Sequence, residues 1–549
     1  SGVGLCAYKT TDQKAEAATV FANWFTEEQR KTIRNALEKF LFDPALDAYR
    51  GIMPNYGFAE AKSNWNIVGN GGVGMAALAV ADEADVSAKA AECIASGLVG
   101  LEKMLIEFAP DGAWYEGISY WKYTVEYLAM YISALYTATG TDYGCFSGLG
   151  VKETAYFPIY MWGPVAGFSF GDSESTKFDV PEWSFFADKL SQPAILSMRK
   201  AQIENGGGSY KDLLWYNEKL EAQDAVLNLD KHFGGKVEIS TMRSSFEDKD
   251  AVFAAVRGGD AVVNHGHLDL GTFDIQANGV AWTVDAGADN YNFPGYFDTA
   301  KQRWDYYRMR AESHNCMVLN PSEEPEMQLQ SRAPIALHSK EKGAYSVIDL
   351  TDAYAKYADS AIRAVGLTDN RRRVLVQDEV DLKEPSEYYW FMHTYADIAI
   401  AEDGKSAILS KDGKRLYAQI AAENEDAKFT VLEDKPLPGS KQIEGQKLLP
   451  SLHKLTIHLP STERVRLAVA FTPLQANEEI AVKTEPLLPI TDWKIEDGTI
   501  PSVTELYLDD EPLKGFAPGT YHYTMELERA DAPIPELRVD SAFKTRVIQ

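Results

Sequence analysis

The stretch VVNHGHLDLGTFDIQANGVAWTVDAGADNY, residues 262–291, sets two of the chain's nine histidines two positions apart. Its pattern reads as two β-strands. On a strand, residues two apart point to the same side, so His265, His267 and Asp269 share a face. Asp285 follows one hairpin later and can return to the same place, and His314 comes after it in RAESHNCMVLNP. Two histidines and one aspartate suit a tetrahedral zinc that keeps a fourth position for water. The same groups can also satisfy one another by hydrogen bonds in a polar core, and spacing leaves both readings open.

The elements that must position these residues fall into two kinds. From Thr26 to about Tyr216 the apolar spacing is helical. TEEQRKTIRNALEKFLFDPALDAY opens with Thr26 as an N-cap ahead of two glutamates. GGVGMAALAVADEADVSAKAAECIASGLVGLEKMLIEF is amphipathic and breaks near Asp82 to Asp85. ISYWKYTVEYLAMYISALYTATG is a third helix and EWSFFADKLSQPAILSMRKAQ a fourth. Helix pairs joined by Gly- and Pro-containing loops suggest an α/α toroid or solenoid, and no fixed-period repeat favours the solenoid.

After ENGGGSY and a last short helix the pattern changes to strands. KVEISTMRSSF, AVFAAVRGG, AYSVIDLT, RRRVLVQDEVDL, EYYWFMHTYADIAI, KRLYAQIA and RVRLAVAFTP are separated by turns, which points to an antiparallel sandwich. PSVTELYLDDEPLKGFAPGTYHYTMEL reads as a further small β piece. The expected fold is therefore multidomain α+β. An N-terminal (α/α) toroid (an incomplete barrel) spans 1–230, an antiparallel β-sandwich 231–482, and a small C-terminal β module 483–549.

With 549 residues the chain is too long for a single core. Its 45% apolar content is ample for ordinary globular interiors. No uncharged apolar run reaches the roughly 18 residues of a membrane span. The start at Ser1 lacks the charged and apolar regions of a signal peptide, so the reading is that any leader has been removed or never existed. A net charge of −27 argues against a nucleic-acid partner. It leaves room for an anionic substrate, because a basic cleft can sit on an acidic protein. Cys6, Cys93, Cys145 and Cys316 form no CxxC pair. They read as buried thiols, with one disulfide as the alternative.

NHGHLDLGTFDI, VDAG and RAESHN, in this order, resemble the signature of the heparinase II/III-like polysaccharide lyases. That family includes heparin and heparan sulfate lyases and exo-acting alginate lyases. SNWNIVGNGGVGMAALAVADE and PDGAWYEGISYWKYTVEY resemble the same family's toroid motifs, so the resemblance runs from about Thr26 to Leu474. It implies β-elimination at a uronic acid, giving a 4,5-unsaturated end. The reaction needs a base for the C5 proton, an acid for the leaving O4, and groups that neutralise the C6 carboxylate.

By resemblance Tyr120 is the acid, and in syn elimination also the base. An ordinary tyrosine, with a pKa of about 10, is a poor base at neutral pH. A cationic or donor-rich setting would have to lower it, and His265 is the expected neighbour. On composition alone Tyr120 would be one more packing residue in an aromatic helix. The carboxylate neutraliser is implied in SNWN, where some relatives carry a histidine and others an asparagine. Asn66 is the first choice, Asn64 the second, and Trp65 between them faces substrate. His267, Asp285 and His314 match the family's zinc ligands, with one zinc ordering the loop under the site. Glu116 is expected to orient Tyr120 or a sugar hydroxyl. YFDTAKQRWDYYRMR would form a basic aromatic wall, with Tyr296, Tyr307, Arg308 and Arg310 meeting the anionic sugar, or else a packed charged loop.

The implied substrate is an anionic polysaccharide of heparin, heparan sulfate or alginate type. The protein would be periplasmic or secreted, a monomer or homodimer, with no membrane span and no nucleic-acid partner. Two other functions fit the same residues. A zinc-dependent glycan hydrolase would form no unsaturated product and would fail with chelator. A non-catalytic glycan-binding protein would be free to lose Tyr120, His265 or the asparagines.

Overall fold

The computed structural model describes residues 25–53, 57–174, 178–474, 487–495, 503–509, 511–514 and 537–541. Helix α1 (Glu27–Leu37) starts on the expected cap. Thr26 Oγ1 accepts from Gln29 N at 3.3 Å while Gln29 Oε1 accepts from Thr26 N at 2.8 Å. Such a reciprocal cap stabilises a helix start by about 1 kcal/mol. Helices α2 (Asp43–Tyr49), α3 (Asn64–Leu78), α4 (Ser87–Leu105) and α5 (Ile118–Thr139) follow. The acidic break falls between α3 and α4, where expected. Gly140, in the left-handed region at φ 78°, ends α5.

After the short α6 (Phe157–Met161) the fourth expected helix proves to be two, α7 (Glu182–Lys189) and α8 (Pro193–Glu204), before α9 (Tyr210–Trp215). Pro193 explains the break. It cannot donate to the preceding turn, and it pushes Gln192 out of the helical region to φ −109°, ψ 77°.

Strands begin at Lys231. β1 (Lys231–Phe233), β2 (Val237–Arg243), β3 (Phe253–Asp260), β4 (Phe273–Ala277) and β5 (Val280–Ala281) form one antiparallel sheet in chain order, and β7 (Arg332–Ala333) also pairs with β3. β2 is buried along its whole length. The reason is its place as a middle layer. Val237 and Ile239 join the helical core with Phe253 and Ala255, while Met242, Ala254 and Val256 join the core of the larger sheet. The period-2 alternation of a strand is thus present but hidden, because both faces meet apolar partners.

The larger antiparallel sheet runs β12 (Asp397–Ile400), β13 (Ser406–Lys411), β14 (Lys414–Ala422), β16, β11, β10, β9 (Gly343–Asp349) and β8 (Ile335–Lys340). Its spine is β11 (Arg373–Thr394) against β16 (His453–Leu474). RRRVLVQDEVDL and the start of EYYWFMHTYADIAI, expected as separate strands, are both in β11. The register shifts between Asp381 and Tyr388, around Pro385, which cannot donate to the ladder. β6 (Met317–Leu319) pairs with β11 just after the RAESHN segment. Arg363 on β10 (Ala358–Thr368) makes a bidentate pair with Asp378 at 2.7 Å and donates to the carbonyls of Gly271 and Asn315. The large sheet thereby holds both histidine-bearing segments.

Trp493 packs on this sheet against Leu375, Ala468 and Ala470. Val503–Leu508 pairs with Glu511–Pro512 and Leu537–Ser541 in a small separate sheet. Cys93, Cys145 and Cys316 are free and buried, and burial pushes the thiols of Cys93 and Cys145 up to about 12. Cys6 lies outside the described residues. Among the described residues no helix is long and apolar enough to cross a membrane.

Candidate active site

The histidine stretch departs from the strand reading in its first half. Residues 262–272 form turns and bends, and strand begins only at Phe273. His265 sits in the left-handed region at φ 57°, an uncommon conformation for a residue with a side chain. The segment is buried between helices and sheet, so alternation does not govern which way its side chains point. Asp269 is drawn away from the histidines to Arg257 at 2.6 Å.

What unites the histidines is a residue that their spacing does not reveal. Asp172, at a turn after α6, accepts from His265 Nδ1 and from His267 Nε2, each at 2.9 Å. Arg303 lies 3.0 Å from the same carboxylate, and Tyr296 Oη donates to it at 2.7 Å. Burial alone would raise the Asp172 carboxyl. The hydrogen bonds from His265 and His267 and the Arg303 charge outweigh burial and hold it well below the usual carboxylate range. A carboxylate on Nδ1 fixes the proton there and leaves Nε2 of His265 as the basic edge.

Two glycines make this approach possible. Gly171 stands at φ 59°, and a Cβ there would come within 2.6 Å of the His265 carbonyl, which accepts from Asp172 N at 2.8 Å. Gly117, at φ 87° ahead of α5, leaves room for Ser173. The first turn of α5 can then present Ser119 and Tyr120. The Tyr120 ring stacks on His265 with centroids 4.2 Å apart, and its hydroxyl meets that of Tyr291 at 2.5 Å.

The expectation of a lowered tyrosine pKa is not met in the free protein. Burial, the Tyr291 hydroxyl, and the charges of Asp172 and Glu116 all raise it. Tyr120 therefore stands as a proton donor, and the basic edge is on histidine.

Glu116 is buried and joins two asparagines. Its Oε2 accepts from Asn64 N and Trp114 Nε1, both at 3.0 Å, and its Oε1 accepts from Asn264 Nδ2 at 2.5 Å. Burial raises its pKa above the usual carboxylate range. Glu116 thus holds the Asn64 backbone and the Asn264 side chain rather than Tyr120. Asn64 Oδ1 is buried with no hydrogen-bond partner, whereas Asn66 is fully engaged. The Asn66 amide donates to the carbonyls of Ala61 and Gly100 and its oxygen accepts from Asn70, each at 2.8 Å. With no exposed surface, Asn66 packs α3 against α4 and is not available to a sugar. Trp65 is 37% exposed, enough to face a ligand. Asn66→Ala is accordingly expected to lower the melting temperature, since it strands three buried partners at about 1–3 kcal/mol. Thermal melts compared with those of Asn64→Ala check this.

The arginine-rich segment forms no wall. Arg308 donates to the carbonyls of Ala286, Ala288 and Lys447, and Arg310 pairs with Glu326 and caps the carbonyls of Ser322 and Glu324. Both are buried, as are Tyr296 and Tyr307, whose hydroxyl donates to Asp434 at 2.8 Å. A buried guanidinium needs this many acceptors; Arg308 Nη2 stays without a partner, but it is buried, and neither guanidinium offers an exposed face to an anionic sugar. Spacing between arginines and tyrosines cannot tell a wall from a packed loop.

His267, Asp285 and His314 do come together, each offering one ligand atom within 4.8 Å of the others. His314 Nδ1 is 2.8 Å from Asp285 Oδ2, and His314 Nε2 faces the Arg308 carbonyl. His267 Nδ1 is buried without a partner. A donor set with one orphaned imidazole nitrogen, its other nitrogen bonded to a carboxylate, fits a metal ion. Burial lowers the His267 pKa, which keeps that nitrogen free of a proton.

A cleft of about 650 Å³ opens beside Tyr120, Asp172 and Tyr291, with Glu174 and Lys447 on its walls. Asp172, Tyr291, Asn264 and Arg303 are the site residues that sequence reasoning missed. Tyr291 and Asn264 stand within or beside the histidine motif itself, so proximity was their one available signal.

Residues 230–462 match the family described as Heparinase II/III-like, C-terminal. No curated protein sequence matches the chain. Among solved structures it is similar to a heparinase III gene product, with 14% identity and TM-score 0.56 over 85% of this chain and 65% of that one. A lysine-methylated form of that product aligns with TM-score 0.62 at 14% identity, over 86% of this chain and 67% of that one. A mutant of the heparan sulfate lyase HepC from Pedobacter heparinus aligns at 14% identity and TM-score 0.58, over 86% of this chain and 73% of that one. The chain thus spans less than two thirds of the first of these, and at such identity the likeness concerns the fold.

Proposed function

We propose that this protein, whose residues 230–462 match the heparinase II/III-like C-terminal family, is a polysaccharide lyase. It would cleave a uronic-acid-containing glycan, a glycosaminoglycan of the heparan sulfate type or alginate, by β-elimination. The observation that carries this reading is the stack of His265 on Tyr120, which lines the cleft, with the imidazole anchored to Asp172. One edge is a proton donor and the other an acceptor, side by side, as elimination requires.

In this mechanism His265 Nε2 takes the C5 proton and Tyr120 delivers its proton to O4 as the C4–O4 bond breaks. Charge moves onto the C6 carboxylate, where the side-chain amides of Asn64 and of Asn264, the latter held by Glu116, donate to it. Tyr291 is hydrogen-bonded to Tyr120 and 39% exposed, which gives a route for returning a proton from solvent. Asn64→Ala is expected to cut kcat by about 10²-fold with a smaller change in KM, because that charge develops in the transition state. Equal losses in binding and turnover would contradict the role.

The donor set of His267, Asp285 and His314 suits zinc. Bound there, zinc would tie the Asp285 and His314 segments to the loop that carries His265. Both histidines are buried, which favours elimination over a metal-activated water reaching the sugar. Elemental analysis is expected to find about one zinc per chain, with chelation lowering the melting temperature. Protein free of metal, with His267→Ala as stable as wild type, would contradict the site. A periplasmic or secreted location accords with such a substrate. The test of the function is a set of uronic glycans, assayed for the ultraviolet absorbance of an unsaturated product.

A further inference from the structure

Between Glu433, which ends β15 (Phe429–Glu433), and the start of β16, residues 434–452 cross the sandwich toward the cleft. The crossing is pinned at several points. Leu437 N and Ser440 Oγ donate to the buried Glu312, and Leu449 N donates to Asp434. Gln446 Oε1 accepts from Tyr307 N at 2.5 Å. Lys447 is held from both sides of its own backbone. Its N–H donates to the two Asp289 oxygens at 3.3 and 3.1 Å, and its carbonyl accepts from Arg308 Nε at 2.9 Å.

The Lys447 side chain, by contrast, is exposed and makes no ion pair or hydrogen bond among the described residues. It lines the cleft of about 650 Å³ beside Tyr120, and also an adjoining cavity of about 370 Å³ that reaches Asp274, Gln276 and Asp285. Glu174 lines both as well, exposed and equally unpaired. Among the described residues that line the two cavities, Lys447 is the one lysine or arginine.

A backbone fixed on three acceptors and donors, carrying a free ammonium at the junction of two cavities, is built to meet an anion there. We propose that Lys447 reads the acidic group of the sugar adjoining the one at Tyr120, and that this group is a uronate carboxylate. The assignment rests on the elimination reading for what occupies the cleft. The choice of carboxylate follows from the charge count. One free cation faces one free carboxylate, Glu174, so a repeat bearing several sulfates would meet more repulsion than attraction. Lysine suits the task as a single point charge that imposes no bidentate geometry. Arg308 enters the same design as a positioning residue, since it holds the Lys447 carbonyl instead of touching the sugar.

The test compares Lys447→Ala and Lys447→Arg with wild type on an unsulfated oligouronate, in which adjoining sugars each carry a carboxylate. For Lys447→Ala, KM is expected to rise about tenfold, the scale of losing one charge-assisted contact, with kcat within about twofold and a weaker salt dependence. Lys447→Arg should recover most of the KM. A parallel calorimetric titration uses the Tyr120→Phe protein, with and without Lys447→Ala, and the same oligosaccharide. There the Kd should weaken by the same factor. Unchanged KM and Kd, or a loss confined to kcat, would overturn the proposal. Tighter wild-type binding of a polysulfated oligosaccharide of equal length would overturn the carboxylate assignment. If wild type forms no unsaturated product but Lys447→Ala still weakens binding, the elimination reading fails while Lys447 keeps its role.

Discussion

Tyr120→Phe is expected to lower turnover by about 10²–10⁴-fold, the usual scale of a general acid, while leaving the fold in place. The substitution removes one oxygen whose hydrogen bond goes to Tyr291, itself partly exposed. The ring remains, and with it the stack on His265 at 4.2 Å. Stability should therefore change by no more than about 1.5 kcal/mol. Binding should also persist, because the phenol acts on O4 only as the bond breaks, so the loss should fall in kcat rather than KM. The measurement is initial rate of unsaturated product, with circular dichroism to confirm folding. A folded variant retaining more than about a tenth of the wild-type rate would contradict the acid role, since that is less than the effect of a positioned acid.

Asp172→Asn should have an effect of similar size by a different route. The carboxylate fixes the Nδ1 proton of His265, and an amide cannot accept from both histidines with the same strength. Loss of the basic edge is expected to cost about 10²-fold or more in kcat. Asp172 also accepts from His267, whose other nitrogen faces the metal group. Metal affinity should therefore fall about 10–100-fold, as when a carboxylate behind a ligating histidine is removed. Zinc content and rate measured together separate the two effects. If excess zinc restores full activity, Asp172 serves the metal alone; if occupancy is full and the rate stays low, it serves His265.

Much of the architecture is legible in periodicity, and the exceptions have physical causes. The cap at Thr26, the acidic break before α4 and the Gly140 stop are local signals, and local signals survive folding. Pro193 is equally local, and weighing it against the apolar spacing would have divided the fourth helix. Residues 262–272 mislead because apolar residues buried within turns read, by pattern alone, as a strand. His265 and His267 do converge, but through Asp172, from a turn near the helices, and not through a shared strand face.

The metal group was visible because three ligands, two histidines and an aspartate, in one motif order are informative even without geometry. The choice between Asn64 and Asn66 was not. Two residues, just over half a helical turn, decide which amide enters the α3–α4 packing, and two asparagines in SNWN are alike in composition. Arg308 and Arg310 illustrate the same limit. Whether an arginine meets ligand or carbonyl depends on which loops cross it, here residues 434–452, more than 100 positions downstream of Arg308.

The central claim is that the cleft removes a proton from carbon instead of adding water. Mass spectrometry of the products from a defined uronic oligosaccharide tests it most directly. Elimination predicts fragments whose masses sum to that of the substrate, one of them bearing the ultraviolet absorbance of a 4,5-unsaturated uronic end. Fragments that together exceed the substrate by one water, without that absorbance, would contradict the account and assign the site to hydrolysis.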